Sequence, residues 1–79
     1  MIDAVTKKPM KVWGTTGLKT VSVPLTQLDS VRKLFDANNI FYWVSDTAVS
    51  FDNHPPRISV EISRREDLAK VQALLDGAA

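Results

Sequence analysis

Apolar and polar positions divide this chain into two passages of the same form, each a run of period two followed by a stripe of helical period. In the first, Lys19, Val21 and Val23 share one face of a strand, and Leu18, Thr20 and Ser22 share the other. Pro24 removes a ladder donor and closes that strand. Leu28, Val31, Leu34 and Phe35 then recur at helical spacing, with Thr26 as N-cap and Asn38-Asn39 as a stop, which predicts a helix over 26–38. In the second passage Ile58, Val60 and Ile62 alternate with Ser59, Glu61 and Ser63, the pattern of a half-buried antiparallel strand. Leu68, Val71, Leu74 and Leu75 form the stripe of a second helix over 64–76, started by a capping box at Ser63-Arg64-Arg65-Glu66 and stopped by Gly77. Asp29 with Lys33 and Glu66 with Lys70 add favourable i,i+4 pairs on the wet sides.

Strand-like sequence fills the remainder. Met10 to Thr15 precedes Leu18, and Gly17 in Thr15-Thr16-Gly17 suits a tight turn between the two. Ile40 to Val44 is a dense β-prone run, with Ile40, Tyr42 and Val44 facing one way and Phe41 and Trp43 the other. After a bend at Ser45-Asp46-Thr47 a strand resumes over Ala48 to Asp52, and Asn53-His54-Pro55-Pro56 is the strongest turn signal in the chain.

The order is therefore ββαββα, an α+β chain. Residues 1–9 read as a flexible or loosely docked arm and 10–79 as one domain. Both helical stripes should lie on one face of a mostly antiparallel four-stranded sheet, a two-layer sandwich with its other face open. A right-handed crossover over the first helix is expected to make Arg57–Ser63 the parallel neighbour of Leu18–Val23, with Ile40–Asp52 outside it. The N-terminal strand takes the place of the last strand of a ferredoxin-like domain, so the expectation is a permuted ferredoxin-like sheet. In topology this layout also resembles the small-molecule-binding regulatory domains of the ACT type. The expected core is Leu28, Val31, Leu34, Phe35, Ile58, Val60, Ile62, Leu68, Val71 and Leu75.

Size makes that core marginal. A chain of 79 residues buries only about 60–65% of its unfolded surface. There is no cysteine to add a disulfide, and one histidine, His54, argues against a structural zinc site. Oligomerisation is the remaining common route to more burial, and a homodimer is expected. Ten Lys and Arg against nine Asp and Glu leave no electrostatic footprint for nucleic acid or a membrane. The first ten residues hold no apolar signal-peptide core, no run approaches the about 20 apolar residues of a membrane span, and the lack of cysteine suits a reducing cytosol.

Candidate chemistry is sparse. Trp13, Phe41, Tyr42 and Trp43 are the candidates for an interface or a ligand, because so much aromatic surface is costly to leave in water. Arg57, Arg64 and Arg65 are candidates for a weak anion site beside the second helix, with Glu61, Glu66 and Asp67 near enough to neutralise it. Lys7, Lys8 and Lys11 read as a solvated tail or, as the alternative, a phosphate-binding arm. His54 has no serine, cysteine or carboxylate at triad spacing, and Asp46 and Asp52 do not form a catalytic pair. No catalytic, cofactor or metal set is expected.

These features favour a non-enzymatic binding or regulatory module that associates with itself and with a protein or small-molecule partner. An RNA-binding platform of the RRM type would need aromatics on the central strands, where Thr20, Ser22, Ser59 and Glu61 face outward instead. A small enzyme at an oligomer interface would need His54, Asp52 or Tyr42 to converge across subunits.

Overall fold

A computed structural model describes residues 1–15, 18–50 and 53–78. Its elements are strands β1 (Val12–Thr15) and β2 (Leu18–Pro24), helix α1 (Leu28–Ala37), strands β3 (Tyr42–Val44) and β4 (Arg57–Ile62), and helix α2 (Leu68–Gly77). The four strands form one antiparallel sheet in the order β1-β2-β4-β3. The expected turn at Thr16-Gly17 and the end of the Ala48–Asp52 strand, Phe51 and Asp52, lie outside the described residues. Of that strand, Val49 pairs with Arg57 as a single bridge.

One expectation about pairing is corrected. β4 neighbours β2, but antiparallel, with Val21 opposite Val60 and Val23 opposite Ile58. The strand parallel to β2 is β3, one place further out, since β4 runs antiparallel to both. The reason is connectivity: the chain leaves β3, turns back through Asn53 to Pro56, and the returning strand occupies the gap that α1 spans.

Alternation decides which face is buried. Val12, Val21, Val23, Val60 and Ile62 point to one side and join Val31 and Phe35 of α1 and Val71 and Leu75 of α2 in a single apolar cluster. Both helices therefore lie on that side. Met1, Met10 and Ile40 are buried in the same cluster, beyond the expected core, while Leu28, Leu34 and Leu68 are only partly buried. Tyr42 meets Phe35 edge-on, with ring centroids 5.5 Å apart, and its hydroxyl donates to Asp36 Oδ1 at 2.8 Å.

Both helix starts differ from expectation. Leu25–Gln27 forms a 3-10 turn, so Thr26 lies ahead of α1 and caps nothing. Ser63 Oγ accepts from the Arg65 amide in a turn, and α2 begins four residues later, where Asp67 Oδ1 accepts from Ala69 N at 2.9 Å. Asp67 is an N-cap as good as Ser63, and it stands directly before the apolar stripe. Glu66 is thereby outside the helix and makes no ion pair with Lys70 among the described residues, whereas Lys33 and Asp29 do pair, at 3.6 Å on the exposed side of α1. The end of α1 follows its sequence: Asn39 has φ 56°, Ile40 N donates to Phe35 O and Asn39 N to Asp36 O, a Schellman stop with Ile40 and Phe35 both in the core.

Residues 1–10 are docked against the sheet. Met10 N donates to Met1 O and Asp3 N to Lys8 O, closing a loop. Gln27 clamps it from the α1 side, accepting from Ala4 N and donating to Ile2 O, both at 2.8 Å. Gln72 of α2 does the same for the strand that follows, accepting from Val12 N and donating to Met10 O, both at 2.9 Å.

Burial ranks the core residues. Phe35→Ala is expected to cost about 3–5 kcal/mol, and Leu68→Ala, on a half-buried position, about 1–2 kcal/mol. Denaturant midpoints of the two variants test this, and equal losses would show that Leu68 carries more of the core than its burial indicates.

Candidate functional site

The sheet face away from the helices is open around Trp13, Thr20, Glu61 and Trp43, while the N-terminal loop lies over its Pro24–Arg57 end, where Pro24 is fully buried and Arg57 pairs with Asp3. One cross-strand row runs over it from edge to edge: Trp13 on β1 opposite Thr20 on β2, Thr20 opposite Glu61 on β4, and Glu61 opposite Trp43 on β3. Ser22 and Ser59 form the next row across the two central strands. Trp13 is 70% exposed and Trp43 53%, so the face has a polar centre and an indole at each edge. The edge nearest β4 is held in place, because Trp43 Nε1 donates to Glu61 Oε2 at 2.6 Å. Phe41, 62% exposed, lies beyond Trp43 on the same side, and the Arg65 guanidinium sits 5.6 Å from its ring centroid.

Tyr42 belongs to the other face. The aromatic candidates thus split into Trp13, Phe41 and Trp43 outside and Tyr42 within the helix layer. The arginine candidates also separate. Arg57 opens β4, whereas Arg64 and Arg65 follow its far end, about 17 Å away at a strand's rise per residue. They form no common patch.

Arg57 instead ties three segments together. Its Nε donates to Ser22 Oγ at 2.9 Å and its Nη2 to Ser22 O at 3.1 Å, across to β2. Nη1 and Nη2 grip Asp3 Oδ1 and Oδ2 in a two-pronged ion pair. Its backbone exchanges both hydrogen bonds with Val49 at 2.8 Å. Asp3, only 4% exposed, also accepts from the Val5 and Thr6 amides at 2.8 and 3.0 Å. Burial pushes the Asp3 carboxyl up, but the Arg57 hydrogen bonds, the two amides and the Arg57 charge outweigh it and hold the group below its ordinary 3.8.

Sequence reasoning missed Asp3, because an acidic residue in a polar N-terminal stretch reads as solvated. The available signal was local: Asp-Ala-Val-Thr can form an Asx turn, which fixes the carboxylate orientation.

A cleft of about 610 Å³ lies between the docked N-terminal loop and this face, lined by Asp3, Lys8, Lys11, Trp13, Ser22 and Arg57 among others. Tyr42 lines a separate cleft, and His54 lines another that shares Thr6 and Arg57 with the first. Among the described residues no group of three or more His, Cys, Asp and Glu side chains could hold a metal ion, and no helix is long and apolar enough to cross a membrane. Compared with protein-family models, curated proteins and solved structures, the chain matches none of them.

The Asp3 carboxylate predicts an acid-sensitive tether. Since its folded pKa lies below the unfolded value, its contribution is complete above pH 3.8 and is lost as pH falls through the lower folded value. Asp3→Asn should cost about 1–3 kcal/mol at neutral pH and flatten the acid limb of stability below pH 3.8. Urea unfolding of both proteins between neutral pH and strong acid checks it, and parallel pH profiles would remove Asp3 as the cause.

Proposed function

We propose that this chain is a non-enzymatic association module that dimerises through its open sheet face. The observation that carries the reading is the row Trp13–Thr20–Glu61–Trp43, with an exposed indole at each end. Such a face resembles the halves of a sandwich, where sheets stack about 10 Å apart. A two-fold axis parallel to the strands and between β2 and β4 would set Trp13 of each copy against Trp43 of the other. The polar centre would be covered by its own counterpart, and large aromatics are the side chains that most often anchor such contacts.

The edges support the face over an outer strand as the contact. Gln72 already occupies the Met10 and Val12 backbone groups beside β1, and β3 is three residues long. Neither offers a long free ladder to a second chain. Size supports association as well, since a 79-residue chain has little core of its own.

The strand order, with α1 linking β2 to β3 over β4 and the N-terminal strand beside β2, supports a permuted ferredoxin-like arrangement. With no cysteine to oxidise, the module suits a reducing cytosol. Regulation by a protein or small-molecule partner is the role such a dimer would serve.

Sedimentation at high micromolar concentration should give twice the chain mass. Trp43→Ala should weaken the dimer by about 2 kcal/mol or more, roughly thirtyfold in dissociation constant, while far-ultraviolet circular dichroism stays unchanged. A monomeric mass for the unaltered chain at that concentration would end the reading.

A further inference from the structure

The cleft under the N-terminal loop has the composition of a small-ligand site, and we propose that it binds a mononucleotide: a planar heteroaromatic ring carrying a single phosphate. Its volume of about 610 Å³ lies within the usual range for small-molecule pockets. Its walls come from one chain, so binding does not require the dimer.

Three observations select the ligand class. The first is Trp13, a flat apolar surface at the rim that is 70% exposed, although an indole is costly to leave in water. A planar ring stacking on it removes that surface from solvent. The second is charge. Lys8, Lys11 and Arg57 line the cleft against Asp3 alone, and Asp3 is already bound by Arg57. Lys8 and Lys11 make no ion pair among the described residues, which leaves two ammonium groups for an anion. The chain as a whole carries a formal charge of only +1, so this excess is local. The third is fixed geometry. The Asp3–Arg57 pair, the Gln27 clamp on Ile2 and Ala4 and the Gln72 clamp on Met10 and Val12 hold the loop that carries the lysines against the strand that carries Trp13. Phosphate at Lys8 and Lys11 with the base on Trp13 satisfies all three. It also gives a role to the cluster of lysines near the N-terminus.

Adenosine 5′-monophosphate is the probe, with adenosine and ribose 5-phosphate as its two halves, each added to the full chain. The chain has two tryptophans, so the two indole N–H signals in a 15N-correlated spectrum report separately. The expected result is a saturable shift of the Trp13 signal with a dissociation constant below about 1 mM and much weaker shifts with either half. Trp13→Ala should weaken calorimetric binding by about tenfold or more. Lys8→Ala with Lys11→Ala should weaken it by about fivefold and reduce its salt dependence. Trp13 and Ser22 are shared with the face of the proposed dimer contact, and Lys8 and Lys11 are not. The double lysine variant therefore separates the two ideas, because it should bind the nucleotide about fivefold more weakly and keep the mass of the unaltered chain. No saturable binding of adenosine 5′-monophosphate, or equal binding by the double lysine variant, would overturn the assignment.

Discussion

Everything in this molecule follows from burying one side of a sheet. Two helices of ten residues each cover one face of four strands, and among the described residues no helix covers the other, which only the N-terminal loop meets at its Arg57 end. Because strand side chains alternate strictly, that choice assigns a side to every strand residue at once. Val21, Val23, Val60 and Ile62 are inside, and Thr20, Ser22, Ser59 and Glu61 are consequently outside. A one-residue slip of β4 against β2 would expose three β-branched residues and bury a glutamate, so the register is strongly specified. The same constraint places both tryptophans in water, since Trp13 and Trp43 share a row with Thr20 and Glu61.

The Asp3–Arg57 pair adds what the apolar layer cannot. A buried carboxylate costs solvation free energy, and removing one partner of such a pair is worse than never having had it. Here both carboxylate oxygens and most guanidinium donors are engaged, and no buried side-chain polar atom among the described residues lacks a hydrogen bond. The pair joins residues 54 positions apart, and through Ser22 and Val49 it gathers four stretches of chain at the start of β4. Its value is positional: it sets the N-terminal loop against the open face and so makes a cleft where a flat sheet would otherwise meet solvent.

The repeating features were legible because they are periodic. The alternation Ile58-Val60-Ile62 and the stripes through Val31 and Phe35, and through Val71 and Leu75, are read over several residues at once, so no single position decides them. Features set by one residue were less legible. Ser63 and Asp67 are both competent caps four residues apart, and only packing of Leu68 and Val71 against the sheet selects the second. The direction of β4 follows from connectivity, since the return through Asn53 to Pro56 sets it antiparallel to β3 and hence to β2. The separation of Arg57 from Arg64 and Arg65 follows once β4 is a strand, since about 17 Å then lies between them. Asp3, Gln27 and Gln72 were illegible for a common reason. Each acts on backbone or charge far away in sequence, and a polar side chain carries no periodic trace of a distant partner.

The two exposed indoles are not equivalent, and the difference has a physical source. Trp43 is anchored, its Nε1 bonded to Glu61 on the adjacent strand and its neighbour Phe41 beneath the Arg65 guanidinium. Ordering it in a contact therefore loses little further side-chain entropy, which suits an interface anchor. Trp13 makes no side-chain hydrogen bond among the described residues and lines a cleft together with Lys8, Lys11 and Arg57. Its ring is free to choose its partner. One face of the sheet thus presents a held aromatic at one edge and an adaptable one at the other. Because the central residues are small or polar, any partner that covers the face must make its apolar contacts at those two ends. A partner that reaches only one end would leave the other indole in water, and the proposed dimer is the arrangement that covers both.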